Sequence, residues 1–201
     1  MSARGPVWVL FPVKSFASAK SRLAGVLAPA ERARFARELF EHVLGEALAA
    51  PSIAGVAVVT AGDDVASLAR SRGALVLPEI GAPSLAAIVD GGLAALGARG
   101  ASVALVLMSD LPNLGRAEVA ALAGALEHHD VVASPDHGGA GTGALGLAPP
   151  GALRTCFGTK GSFALHRDRA LAAGLRFGVL ESPGLAFDID EPSDLTRLRS
   201  L

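Results

Sequence analysis

Val103-Ala-Leu-Val-Leu-Met108, followed at once by Ser109-Asp110-Leu111-Pro112, decides the fold class of this chain. A half-solvated strand would alternate apolar and polar residues. This run does not, so it reads as a strand buried on both faces. Such strands belong to parallel sheets covered by helices on either side, and these sheets bind ligands beyond the carboxyl ends of their strands. Asp110 falls at that place. Working outward, Val7–Phe11, Val56–Thr60, Ala74–Leu77 and Val131–Ala133 repeat the texture, bounded by Gly, Pro, Ser or Asp.

Amphipathic segments lie between these runs. Glu31–Ala49 sets Phe35, Leu39, Val43 and Ala47 four apart on one stripe, with Arg34, Arg37, Glu38 and Glu41 largely off it. Val65–Arg70, Leu85–Leu96 and Glu118–Leu126 read as further helices, with Gly73 and Gly97 as C-terminal caps. The strand–helix alternation predicts an α/β fold: a three-layer sandwich around a mostly parallel, mixed sheet. After Pro135 the texture changes. Asp136–Gly146 is rich in glycine, Pro149-Pro150 makes a break, and Phe177–Leu180 and Leu185–Asp188 are strand-like. This part is expected to cover one edge of the same sheet. No repeat, linker or charge block divides the chain, so one domain over residues 1–201 is expected.

Composition narrows the function. Of 201 residues 51% are hydrophobic and 18% charged, which excludes a disordered chain. Lys and Arg number 18 against 19 Asp and Glu, so no basic field exists to neutralise a nucleic-acid backbone. Aromatics are 4%, with no Tyr, so base-stacking platforms are missing too. The lone Cys156 excludes an intrachain disulfide and reads as a buried, idle thiol. No signal-peptide pattern and no bilayer-length apolar run occur, so a cytoplasmic protein without a membrane partner is expected. The apolar sheet edge leaves room for a homodimer.

The polar residues that directly follow the apolar runs are the candidates for chemistry. They are Lys14, then Thr60 with Asp63 and Asp64, then Glu79, Asp110, Asp136 with His137, and finally Asp188 and Asp190. Lys14, Lys20 and Arg22 place three cations within nine residues of a loop, which suits polyphosphate; a solvated loop is the alternative. Asp110 suits a hard cation or a turn cap. In extended Asp188-Ile189-Asp190 both carboxylates share a face while Ile189 points inward. That arrangement suits magnesium, although Asp190 also fits as the N-cap of a last helix. Gly141-x-Gly143-x-x-Gly146 has dinucleotide spacing, but no helix pattern follows it, so that reading is rejected. An anion nest and a simple turn remain open there. Gly158, Gly161 and Ser162, leading into a helix with His166, read as an anion site or as an ordinary N-cap.

Together these residues resemble the guanylyltransferases of coenzyme F-420 biosynthesis, the 2-phospho-L-lactate guanylyltransferase family. The resemblance is carried by Pro12-Val13-Lys14, Ala19-Lys20-Ser-Arg22-Leu, Glu31-Arg32, Val58-Val-Thr60, Ser109-Asp110-Leu-Pro112, Pro135-Asp136 with Gly141-Thr142, Gly161-Ser162-Phe with His166, and Asp188-Ile-Asp190-Glu-Pro with Asp194-Leu195. It implies a GT-A-like, Rossmann-like nucleotidyltransferase that moves GMP from GTP to phospholactate, phosphoenolpyruvate or 3-phosphoglycerate. Asp110, Asp188 and Asp190 would hold magnesium and, with Lys14, form the catalytic set. Pro12, Val13, Lys14, Lys20, Arg22, Thr60 and Glu79 would contact the nucleotide, while Thr142, Gly158, Gly161 and Ser162 would take the acceptor. The chain departs from the family where Gly-Leu-Asn is usual, reading Gly81-Ala-Pro-Ser84-Leu-Ala. It departs again where Thr-Asn is usual, reading Thr142-Gly143, and its Phe157–Ser162 loop is one residue longer. Two rival readings remain: a nucleotidyltransferase for a sugar phosphate or the molybdenum cofactor, and a non-catalytic nucleotide-binding paralogue.

Overall fold

The apolar runs pair into one sheet in the computed structural model, which describes residues 5–79, 81 and 83–198. Its strands are β1 (Val7–Pro12), β2 (Gly55–Thr60), β3 (Leu75–Pro78), β4 (Val103–Leu107), β5 (Val131–Pro135), β6 (Thr142–Leu147) and β7 (Phe177–Val179). They lie in the order β3-β2-β1-β4-β6-β5-β7. β3, β2, β1 and β4 run parallel, β6 is antiparallel to β4 and β5, and β7 is parallel to β5. The helices are α1 (Pro29–Ala49), α2 (Asp63–Ser71), α3 (Leu85–Ala98), α4 (Arg116–Ala125), α5 (Ser162–Ala172), and the short α6 (Pro183–Ala186) and α7 (Pro192–Leu198).

Helices cover both faces of the sheet, and that is why its strands need no polar side. Phe40, Val43 and Leu44 of α1, Leu68 of α2 and Leu122 of α4 pack with Val9, Phe11, Val58 and Leu105 in one core. Val89, Leu93 and Leu96 of α3 and Ala170 of α5 pack with Leu10, Val59, Val106 and Leu145 in the other. Each large side chain so buried contributes roughly 1.5–3 kcal/mol. At Gly92 α3 lies so close to the sheet that a Cβ would sit 2.7 Å from Val59 and 2.8 Å from Leu10.

The α/β, three-layer expectation matches this architecture, and several details differ. The α1 stripe is rotated: Phe40 and Leu44 are fully buried, whereas Phe35 is half-buried beside a small satellite cluster. Gly97 lies inside α3, and Gly100, at φ +85°, takes the left-handed position after it. Leu185–Asp188 is no strand: Leu185 and Ala186 belong to α6, and Phe187 and Asp188 run irregularly. The glycine-rich stretch hides β6, which enters the sheet between β4 and β5 and does not merely cover an edge. Residues 1–4, 80, 82 and 199–201, including Ala82 of the expected nucleotide loop, lie outside the described residues.

The glycines of β6 answer to close neighbours. A Cβ on Gly143 would stand 2.0 Å from the Leu185 carbonyl oxygen of α6, and one on Gly146 would stand 2.6 Å from Leu126. α6 thus occupies the space that a side chain at Gly143 would need. Gly143→Ala is therefore expected to destabilise the fold by roughly 1–3 kcal/mol through overpacking, lowering Tm by about 3–10 °C. Thermal unfolding checks this, and an unchanged Tm would mean that α6 retreats freely from β6.

Candidate active site

The chain lays β1, β2 and β3 outward and then returns to place β4 on the other side of β1. Such a reversal opens a crevice at the carboxyl ends of β1 and β4. A cleft of about 480 Å³ lies there. Its walls are the loop after β1 with Pro12, Val13, Lys14, Lys20 and Arg22, and the turn after β4 with Ser109 and Asp110. Asp188 and Asp190 close it from the late segment, and Leu85 and Gly158 line it as well.

Asp110, Asp188 and Asp190 each bring a carboxylate oxygen to within 4.8 Å of the others. Alternation through Ile189 sets this geometry. Ile189 is fully buried with Leu23, Leu39 and Phe187, so its two acidic neighbours turn to the cleft, and the Ile189 amide donates to the Asp110 carbonyl at 3.3 Å. Asp190 does not cap α7. The Asp194 carboxylate folds back on the start of α7, accepting from the Asp190 amide at 2.9 Å and the Glu191 amide at 2.7 Å, while the Asp190 side chain pairs with Arg22 and Lys20. Burial and the charges of Asp110 and Asp190 push the Asp188 carboxyl up to about 6; its own backbone amide and His137, 3.3 Å away, pull the other way. An all-oxygen, anionic donor set of this kind fits a hard divalent cation.

Lys20 is the surprise of the cluster. It sits in the left-handed region at φ 55°, with its side chain only 7% exposed. Its ammonium donates to Asp110 and to the Ile189 carbonyl, both at 2.5 Å, and lies 3.6 Å from Asp190. Arg22 pairs with Asp190 at 3.0 Å from the solvent side. Lys14, by contrast, is exposed on the cleft wall. Two 3-10 turns, Phe16–Ser18 and Ser21–Gly25, shape the loop carrying these cations. Phe16 anchors it against Phe40, and the Asp64 carboxylate holds it by accepting from Ser15 Oγ at 3.0 Å and the Phe16 amide at 2.9 Å.

Across the cleft, Gly158 lines the cavity in a left-handed turn at φ +77°. Behind it lies a buried polar chain. Thr142 Oγ1 is 3.0 Å from Ser162 Oγ and 3.0 Å from His166 Nδ1, and the Cys156 amide donates to His166 Nε2 at 2.7 Å. Gly161 caps α5 in the left-handed conformation, so Ser162 is its first residue and not the cap. The first amides of α5 are already used: Ser162 donates to the Thr159 carbonyl and Phe163 to that of Ala140. Asp136 fills the glycine nest itself, accepting from the Ala140 and Gly141 amides at 3.1 and 2.9 Å. Cys156 is buried, and burial pushes its thiol up.

Thr60 and Glu79 do not line this cleft. Thr60 is buried and its hydroxyl accepts from the Gly62 amide at 3.0 Å. Glu79 faces a separate cavity of about 220 Å³ against α3. Asp64, His137 and His166 are named in the sequence reading, but none is placed there in the set of site residues. Spacing does not reveal their contacts because the partners, Ser15 and Phe16, Asp188, and Thr142 and Cys156, lie elsewhere in the chain.

The chain matches the family model "Guanylyl transferase CofC like" over residues 7–199. It is 42% identical over 195 residues to a phosphoenolpyruvate guanylyltransferase of Rubrobacter xylanophilus, covering 96% of this chain and 94% of that one. It is 35% identical over 189 residues to a 3-phospho-D-glycerate guanylyltransferase of Phenylobacterium zucineum, covering 92% and 86%. A crystal structure from Desulfovibrio desulfuricans G20, named as a nucleotide-diphospho-sugar transferase, superposes with TM-score 0.82 at 18% identity over 98% of this chain and 87% of that one. That likeness extends the fold argument alone, to the mostly parallel sheet covered by helices on both faces. With the acids, the cationic loop and the family match on one chain, the protein belongs to the CofC-like guanylyltransferase family.

Proposed function

We propose that this chain, working as one catalytic domain in coenzyme F-420 biosynthesis, transfers GMP from GTP to a small phosphorylated acid and releases pyrophosphate. Phosphoenolpyruvate is the first-choice acceptor, with 3-phosphoglycerate and 2-phospho-L-lactate as the related substrates. The observation that carries the reading is one cleft with three convergent carboxylates facing a loop of cations. A cytoplasmic location suits a nucleotide substrate and a single buried thiol.

In the proposed reaction a phosphate oxygen of the acceptor attacks the α-phosphorus of GTP in line. A new phosphorus–oxygen bond forms, the α–β bridge breaks, and its electron pair leaves with pyrophosphate. Asp110, Asp188 and Asp190 would hold magnesium, which supplies charge neutralisation at the α-phosphate when bound. Lys14 on the cleft wall, joined by Arg22 at the rim, would neutralise charge on the departing pyrophosphate. Lys20 bridges Asp110 and Asp190 and keeps the acids gathered. Gly158 and the hydroxyls of Thr142 and Ser162 would receive the acceptor on the opposite wall. The nucleophile is anionic at neutral pH, so the residues need only position and neutralise.

The decisive experiment measures pyrophosphate release with magnesium for GTP, ATP, CTP and UTP against the three phospho-acids and a sugar phosphate. GTP with phosphoenolpyruvate is expected to lead. Release with a sugar phosphate alone, or none at all, would overturn the proposal. Asp110→Asn and Asp188→Asn are each expected to cut turnover by about a hundredfold or more while Tm stays near that of the parent; full turnover in either would remove the acids from the chemistry. A third expectation concerns acid. Below about 6 the Asp188 carboxyl takes a proton and loses its hold on a cation. Turnover at limiting magnesium should therefore fall as the pH drops through that value and recover with excess ion, and a flat profile would contradict it.

A further inference from the structure

His166 is fully buried, yet both ring nitrogens are engaged, and the proposed chemistry leaves it unused. Its partners determine where its proton must be. The Cys156 backbone amide is a donor under all conditions, so His166 Nε2, 2.7 Å away, must be the acceptor. A neutral imidazole then carries its proton on Nδ1 and donates to Thr142 Oγ1 at 3.0 Å. Burial, helped by the Arg169 charge and opposed by Asp90, lowers the His166 pKa to about 4, so the ring is neutral at pH 7.

Proton counting does the rest. His166, Thr142 and Ser162 bring three protons to a chain containing two internal hydrogen bonds. With the proton on Nδ1, one hydroxyl proton of the Thr142–Ser162 pair is left over, to be given outward. With Nδ1 as an acceptor, Thr142 would donate to the ring, Ser162 to Thr142, and none would remain. Ordering the ring therefore turns two ambivalent hydroxyls into a net donor, which is the polarity an anionic oxygen requires.

The chain also lies at the right end of the sheet, buried and outside the lining of the cleft. β6 pairs with β4 so that Ala144 stands opposite Leu107, and Thr142 thus begins β6 at the sheet end where Asp110 follows β4. The loop from Arg154 to Gly158 is pinned around the ring. Asp90 accepts from the Thr155 amide at 2.9 Å, Arg169 donates to the Arg154 and Thr155 carbonyls, and Phe157 packs edge-on against the imidazole at 5.0 Å. The same loop delivers Gly158 to the cleft.

We propose that His166 is a positioning residue: held in one tautomer by the Cys156 amide, it orients the Thr142–Ser162 hydroxyl pair as a donor to a carboxylate or phosphate oxygen of the acceptor. This rests on the reading that these hydroxyls face the acceptor, and it adds the group that sets their direction.

Two isosteric variants separate this role from mere packing. The amide nitrogen of Asn falls where Nδ1 stands, so His166→Asn keeps the donor to Thr142 and gives up the bond from Cys156. The amide oxygen of Gln falls where Nε2 stands, so His166→Gln keeps the Cys156 bond and gives up the donor. Each loses one hydrogen bond, and similar falls in Tm are expected. His166→Gln should raise the phosphoenolpyruvate KM about tenfold, the worth of one hydrogen bond to an anion, with the GTP KM unchanged; His166→Asn should stay close to the parent. Equal acceptor KM values in the two variants, or a rise that tracks the Tm loss, would overturn the proposal. Histidine-¹⁵N NMR of the unmodified protein at pH 7 gives a test independent of variant folding. It should find the Nδ1–H tautomer at His166, and an Nε2–H or charged ring would equally overturn it. If the unmodified protein transfers GMP to no phospho-acid at all, the acceptor reading fails first and takes this proposal with it.

Discussion

Three carboxylates gathered within 4.8 Å repel one another, and the rest of the site is arranged around that repulsion. At an effective dielectric of about 20, each ionised pair at that separation costs on the order of 3 kcal/mol. Lys20 offsets it by placing a nearly buried ammonium between Asp110 and Asp190, and the left-handed backbone at Lys20 is what turns the side chain inward. Asp188 lies outside this bridge, with the rim histidine His137 3.3 Å away. Burial, together with the charges of Asp110 and Asp190, pushes its carboxyl upward. A divalent ion relieves the same repulsion more completely than a monovalent ammonium, so the free energy stored in the cluster favours binding a hard cation.

Apolar packing holds these charges in register. Leu23, one residue beyond Arg22, and Ile189, between two of the acids, are buried in one satellite cluster with Leu39 of α1 and Phe187. The cationic loop and the acidic segment are thus fixed to a common hydrophobic knot, although they lie at opposite ends of the chain. Phe16 adds a second anchor against Phe40, and Asp64 a third from the start of α2. Loss of this packing would let the acids separate, and the charge pairing would follow. The sheet supplies what remains: the parallel pairing of β1 with β4 brings Pro12 and Ser109 to the same end.

Much of this was legible from residue order alone, for a physical reason. Strands buried on both faces cannot alternate, so β1, β2 and β4 announce themselves, and the polar residues directly after β1 and β4 line the cleft. The acids were legible because Ile189 separates two of them at strand spacing. β6 was not, because its composition answers to approaching neighbours: Gly143 yields to the Leu185 carbonyl and Gly146 to Leu126. A strand whose side chains are excluded by other elements looks like a turn. Thr60 and Glu79 follow β2 and β3 as the rule for such sheets requires, yet those strands lie beyond the reversal point and their ends open away from the main cleft. The buried chain from His166 to Ser162 was illegible for a further reason. Its members are drawn from β6, α5 and the loop before α5, and nothing in their spacing records that they meet.

The two walls of the cleft differ in kind, and the difference accords with what the reaction asks. One side carries full positive charges on a loop tied down at several points. Behind Gly158 on the other side lie buried hydroxyls backed by a neutral imidazole. A general base would need a titratable group free to take a proton, and neither histidine near the cleft meets that need. His166 has both nitrogens bonded, and His137 is drawn to Asp188. Phosphate attacking phosphate has no proton to surrender, so this arrangement loses nothing by lacking a base. What the reaction does demand is that two polyanions approach within bonding distance. In the proposed reaction the cations would neutralise one partner and the buried hydroxyls would align the other, so the acceptor would need direction more than charge. A fixed hydroxyl dipole supplies direction without holding the product as a second row of cations would.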